Sequence, residues 1–245
     1  MDNYDVTSQL MHFDGLLNAR ELGGMPLKNG KVFPRNAVIR SDSPSDLTKE
    51  QCDNLKAAGI TCVIDLRSEA EVRHYGNPFR EYEGVNFYNI PLFIGDPDNE
   101  NDRTINFLRT HLLGDFYVLI LQQLGDRICR ILKIISDNEG ITMYHCAHGK
   151  DRTGIISAIL YLLAGASREN IIRNYECSYT FMKPILDPLI ATQEPGLKHI
   201  LGSDAENMVI FLDYIEKNYG GDIKVYLKEQ GMSDEDLDKL IRRIS

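Results

Sequence analysis

The chain reads as an α/β protein: a central parallel, or mixed, sheet flanked by helices, with a helical C-terminal part. Short β-branched apolar runs alternate with helical stretches through its first part, which predicts a parallel sheet with helices on both faces. From Ser167 onward only helical spacing remains. The 245 residues are 43% hydrophobic, enough for a sizeable core. A single domain over 1–245 is expected, with a core over 13–175 and a helical extension over 176–245 packed on it.

Thr48-Lys49-Glu50-Gln51 has the form of a capping box and opens a helix to Ala58, closed by Gly59. Ile60 to Leu66 is a continuous apolar run with β-branched residues, the mark of a buried parallel strand. Ser68 begins a short helix to His74, and Val85 to Leu92 forms another strand. Gly95 to Arg103 is polar, acidic and interrupted by Pro97, so it reads as a loop. Asn106 to Asp137 is helical in pattern, broken near Gly114 or Gly125. Ile141 to His145 is a strand, and Thr153 to Ala164 a helix. Ser167 caps a helix through Phe181, Asp204 starts one through Tyr219, and Ser233 caps the last through Ile244. Ile210, Phe211, Tyr214 and Ile215 form a core-facing stripe.

Charge and cysteine usage narrow the function. The net charge is −9, from 36 acidic and 27 basic residues, which argues against nucleic acid and against stable membrane association. It also repels phosphorylated ligands at long range, so any phosphate site must be a local positive spot. Five cysteines, an odd number without a CxxC rhythm, suggest neither a disulfide framework nor a zinc site. The remaining histidines, His12, His74, His111 and His199, lack metal-ligand spacing, and neither a metal nor an organic cofactor is expected. The polar, acidic N-terminus has no apolar signal core and no apolar run is long enough to span a membrane, so a cytoplasmic location is expected.

The chemistry concentrates in His145-Cys146-Ala147-His148-Gly149-Lys150-Asp151-Arg152-Thr153-Gly154, between a strand and a helix. In a parallel sheet such a loop lies at the carboxyl end of its strand, where functional loops gather. The first N–H groups of the helix are unpaired and its dipole favours anions. Gly149 lets the chain curl so that these groups converge on one point. Arg152 offers a planar fork for two phosphate oxygens. Cys146 stands at the floor, and the donors that hold phosphate also favour a thiolate, the nucleophilic form. Thr153 is placed to offer its hydroxyl to the sulfur. His145, just outside the loop, is placed to bond loop carbonyls. The pattern implies attack of Cys146 on phosphorus, a cysteinyl-phosphate, and its hydrolysis by water. Asp151 is the first candidate for the acid that protonates the leaving oxygen and later the base towards water. The loop amides from Ala147 through His148, Gly149, Lys150 and Asp151 to Arg152 are expected to bind phosphate.

This segment resembles the signature loop of protein tyrosine phosphatases, and its Gly-Lys-Asp-Arg-Thr-Gly version resembles the bacterial and fungal group acting also on phosphoserine, phosphothreonine or phosphoinositides. The resemblance implies a catalytic role for Asp151 and associates Lys150 with lipid-phosphate substrates. Asn18-Ala19-Arg20-Glu21-Leu22-Gly23-Gly24 resembles the same group's Asn-Phe-Arg-Asp-Leu-Gly-Gly pattern, with Ala19 and Glu21 as departures. Arg40-Ser41 and Asp65-Leu66-Arg67 follow in the family's order. Some related bacterial phosphatases are exported, so the resemblance admits export without a recognisable signal.

In the wider family the acid comes from a separate loop, for which Asp96 and Asp98 are the candidates here. Asp65 is expected to pair with Arg67 or Arg20 and shape the loop, and Arg20 to form a structural ion pair. The expected activity is a cysteine-dependent phosphatase acting on phosphotyrosine, and on phosphoserine or phosphothreonine as well. A phosphoinositide phosphatase is the alternative, and a non-catalytic phosphate-binding module the rival from another class. The expected partner is accordingly a phosphorylated protein or a phosphoinositide.

Overall fold

The computed structural model describes residues 4–95 and 102–245. Its sheet has five strands: β1 (Arg20–Glu21), β2 (Val38–Ser41), β3 (Ile60–Asp65), β4 (Asn86–Asn89) and β5 (Ile141–His145), in the order β1-β2-β5-β3-β4. All neighbours are parallel except β1 on β2, so the sheet is mixed at one edge. β1 and β2 are too short to show an apolar alternation, and sequence patterning does not reveal them.

Side chains alternate between two apolar clusters across the sheet. Ile39, Val63 and Met143 join one cluster with Leu55 of α1 (Lys49–Ala57). Val38, Ile64 and Tyr144 join the other, larger one. That second face is covered by α4 (Leu113–Gln123), α5 (Gly125–Asp137) and α6 (Asp151–Ala164), and beyond them by α8 (Ala205–Tyr219), α9 (Ile223–Glu229) and α10 (Asp234–Ile244). α6 is apolar nearly all round, and residues 153–161 are all buried, as expected of a helix at the centre of a core.

The helix starts follow their caps. Thr48 and Ser68 each accept from the third residue on, Gln51 and Glu71, whose side chains return the bond; they open α1 and α2 (Glu69–Tyr75). β4 is shorter than expected, because its partner β3 ends at Asp65, level with Asn89; beyond it Ile90 N still bonds to the Asp65 oxygen and Leu92 N to the Leu66 oxygen. The stretch 106–137 breaks before Gly114, between α3 (Arg103–Leu108) and α4, and again at Leu124. Gly114 instead permits a close helix crossing: a Cβ there would lie 2.7 Å from the Asn207 carbonyl oxygen of α8.

α7 (Arg168–Thr192) runs past Phe181 and through Pro184 and Pro188. Prolines interrupt the hydrogen-bond ladder, but Met182 and Leu186, one turn apart, are buried and hold that stretch to the body. A 3₁₀ segment, Pro195–Leu201, follows. Of the stripe on α8, Phe211 and Ile215 are fully buried. No described helix is long and apolar enough to cross a membrane.

Candidate active site

β5 lies between β2 and β3, and the chain leaves its carboxyl end at His145 to form the loop that leads into α6. Cys146 sits at the bottom, 2% exposed. Gly149 has φ +66°, and a Cβ there would stand 2.5 Å from the Ser41 carbonyl, so the loop presses directly on the end of β2. Only glycine combines that backbone angle with that approach.

The loop's carbonyls are held from outside. The Cys146 oxygen accepts from His145 Nδ1 at 3.0 Å, and the Ala147 oxygen from Ser43 N at 3.0 Å. Asn18 Nδ2 donates to the oxygens of His148 (3.0 Å) and Gly149 (3.1 Å). The Arg40 guanidinium donates to those of Gly149 (2.8 Å) and Lys150 (3.3 Å). With every carbonyl from Cys146 to Lys150 turned outward, the N–H groups from Ala147 to Arg152 find no acceptor among the described residues. The first bond of α6 runs from Gly154 N to the Lys150 oxygen, 2.8 Å. The result is a cradle of converging N–H dipoles at a helix N-terminus, a site made for an anion.

His145 is buried and its partners assign its tautomer. Nδ1–H donates to the Cys146 oxygen, so Nε2 accepts from Asn77 Nδ2 at 3.0 Å. Burial holds this ring below the usual histidine range, against the pull of Asp65. Asp65 is gripped by Arg67, 2.7 Å, and by Asn77, 3.0 Å. Burial opposes its charge, yet His145 and Arg67 hold it below the usual carboxylate range. Of its two expected partners, then, Asp65 takes Arg67.

Arg20 forms no ion pair among the described residues, contrary to expectation. Its guanidinium turns to α7 and donates at 2.7 Å to the Asn174 carbonyl, Cys177 Sγ and Ser178 Oγ. Burial and the adjacent Arg40 pull it down to about 10.

Arg152 is held by a residue the sequence reading missed. Glu71, inside the capping box of α2, receives both η nitrogens, at 2.6 and 2.9 Å. The pair is 13% exposed on each side. Burial opposes both charges, but each partner outweighs it, keeping Glu71 below and Arg152 above their ordinary ranges. The guanidinium also lies over the Phe93 ring at 5.9 Å. Its position in a Ser-capped helix just after β3 was the available signal for Glu71.

The Lys150 side chain does not face the loop's interior. Its ammonium is buried and donates to the carbonyls of Ile200, 2.7 Å, and Gly202, at the end of the 3₁₀ segment. It also lies 3.3 Å from Asp151 Oδ1. Asp151 itself receives a hydrogen bond from Tyr117 on α4. The Thr153 hydroxyl is buried and has no hydrogen-bond partner among the described residues, the sulfur of Cys146 included. Asp96 and Asp98 lie outside the described residues.

A cavity of about 250 Å³ opens on the loop. Glu71, Ala147, His148, Asp151 and Arg152 form its polar wall. Phe93, Ile105, Leu108, Leu113, Phe116 and Leu201 contribute an apolar wall. His148 is partly buried there, and burial together with Lys150 pulls its ring down to about 4.

Comparison with known proteins identifies the chain's family. A family model described as the tyrosine phosphatase family matches residues 11–245. The chain is 26% identical over 231 residues to the tyrosine-protein phosphatase of Nostoc commune, covering 89% of this chain and 78% of that protein. It is 23% identical over 258 residues to the triple specificity protein phosphatase PtpB of Mycobacterium tuberculosis, covering 87% of this chain and 90% of that protein. The crystal structure of P. aeruginosa TpbA aligns with a TM-score of 0.36 at 12% identity, over 69% of this chain and 89% of that one. The chain therefore belongs to the tyrosine phosphatase family and is an enzyme of that class.

Proposed function

We propose that this phosphatase hydrolyses phosphotyrosine through a cysteinyl-phosphate on Cys146. One observation carries the reading: each carbonyl from Cys146 to Lys150 is bonded from outside, which leaves the amides from Ala147 to Arg152 free to hold an anion above the nucleophile. The thiolate attacks phosphorus, an S–P bond forms, and the bond to the leaving phenolic oxygen breaks. Charge on the equatorial oxygens meets the loop amides and Arg152. Glu71 takes one N–H from each η nitrogen, so Nε–H and the other η N–H groups stay available. Asp151, on the polar wall of the cavity, gives its proton to the leaving oxygen. In the second step water attacks phosphorus, its proton passes to Asp151, and the S–P bond breaks to restore the thiolate.

The apolar wall suits an aromatic phosphate ester, and its aromatic side chains, Phe93 and Phe116, can pack on a phenyl ring. Phosphoserine and phosphothreonine are secondary substrates in this reading. The phosphoinositide reading leaned on Lys150, whose ammonium is engaged by backbone carbonyls. We read 1–245 as one catalytic domain, since α7 runs continuously across residues 175 and 176.

Cys146→Ser should abolish turnover of p-nitrophenyl phosphate while keeping affinity for inorganic phosphate. Full activity in that variant would end the proposal. Specificity constants for phosphotyrosine peptide, phosphoserine peptide and soluble phosphoinositide, measured in reductant, rank the substrates.

A further inference from the structure

Among the described residues, Asp151 is held from one side. Its Oδ1 accepts from Tyr117 Oη at 2.5 Å and lies 3.3 Å from the Lys150 ammonium. Its Oδ2 has no hydrogen bond among the described residues, and the side chain lines the cavity.

Behind Tyr117 the donors line up. Tyr117 has one proton to give and gives it to Asp151, so the 2.7 Å contact between the Tyr117 and Tyr175 hydroxyls must carry the Tyr175 proton. Tyr175 in turn accepts from Asn207 Nδ2 at 3.4 Å. Asn207 is buried on α8, and its Oδ1 is fixed by Gly114 N at 3.0 Å. The row Asn207, Tyr175, Tyr117 thus runs from α8 through α7 and α4, with each member donating toward the carboxylate. Burial, with the charge of Asp151 beside it, keeps the Tyr117 phenol well above its usual range, so it remains a donor at neutral pH.

We infer that Tyr117 is a positioning residue: it pins Oδ1 of Asp151, backed by Tyr175 and Asn207, and leaves Oδ2 as the atom that moves the proton. This rests on the proposed acid and base role of Asp151. In the first step the Oδ2 proton passes to the leaving oxygen as its bond to phosphorus breaks; in the second, Oδ2 takes the proton of the attacking water. A carboxylate clamped at one oxygen presents the other at a defined place, which is where preorganisation lowers a barrier.

The test is the leaving-group dependence of kcat/KM, which covers the steps up to departure of the phenol and leaves out hydrolysis of the cysteinyl-phosphate common to all substrates. A misplaced acid matters little for p-nitrophenyl phosphate, whose phenolate leaves unaided, and much for phenyl phosphate. Wild type, Tyr117→Phe, Asp151→Asn and the double variant are compared on both. Tyr117→Phe is expected to lose roughly tenfold in kcat/KM on phenyl phosphate and under about threefold on p-nitrophenyl phosphate. Inhibition by inorganic phosphate should stay unchanged, and the double variant should be no worse than Asp151→Asn. Equal losses on both substrates, or additive losses in the double variant, would overturn the role of Tyr117 and leave that of Asp151 standing. An unchanged leaving-group dependence in Asp151→Asn would overturn the acid assignment and this inference with it. If Tyr117→Phe misfolds, Tyr175→Phe decides, since it keeps the Tyr117 ring and should shift the same ratio by a smaller factor; an unchanged ratio there overturns the inference.

Discussion

Glu71→Gln isolates the support of Arg152, the arginine proposed to bind phosphate, with the least steric change. Glu71 Oε2 accepts from Ser68 N at 2.7 Å and from Arg152 at 2.6 Å, while Oε1 accepts from Arg152 at 2.9 Å. A glutamine oxygen in the Oε2 position keeps the cap and one arginine contact. Its amide NH₂ then stands where Oε1 was, donor against donor. The variant loses one hydrogen bond to a charged group and the charge that orients the fork, together about 2–3 kcal/mol. If that loss falls on transition-state binding, kcat/KM on p-nitrophenyl phosphate drops roughly 30- to 150-fold. Inorganic phosphate should inhibit more weakly as well, because in the proposed role Arg152 holds the ground-state anion too. Thermal melting shows whether the fold survives. A folded variant with kcat/KM within about twofold of wild type would refute the claim that Glu71 sets the arginine's position.

Two other outcomes follow from the same geometry. Gly149→Ala places a Cβ at φ +66° and 2.5 Å from the Ser41 carbonyl, so kcat/KM should fall at least about 100-fold; a loss under about tenfold would show that the loop accepts a side chain there. His148 is pulled from 6.5 to about 4 by burial and Lys150, so as pH falls the unfolded chain takes the proton first. Its contribution to stability is full above pH 6.5 and is lost on descending towards about 4. Urea midpoints against pH should therefore decline less steeply over that window in His148→Asn, and parallel curves for variant and wild type would refute this.

The loop itself was legible because its chemistry is contiguous: a strand, a nucleophile, a glycine, a fork and a helix within a few residues. Caps at Thr48, Ser68 and Ser167 were legible for the same reason, each being a local bond. Apart from His145, what holds the loop was not, since Asn18 reaches 130 residues along the chain to His148 and Arg40 reaches 109 to Gly149. Both residues stood in stretches that resemble the family, but resemblance does not say which carbonyl a side chain grips. Lys150 illustrates the opposite failure. A lysine in a phosphate loop suggests a ligand contact, yet the 3₁₀ segment closes over it and takes its ammonium. Tyr117 left no signal, because an apolar helix with a tyrosine in it reads as core until its hydroxyl is seen.

The strand that delivers the cysteine is flanked on both edges by parallel neighbours, Ser41 and Asp65 standing level with His145. A central strand frees its amides to exchange with solvent only when the whole molecule opens. The proposed nucleophile follows directly on a strand expected to be among the last parts of the protein to come apart. On heating, activity and global structure should vanish together, with no window in which a folded body carries a dead centre.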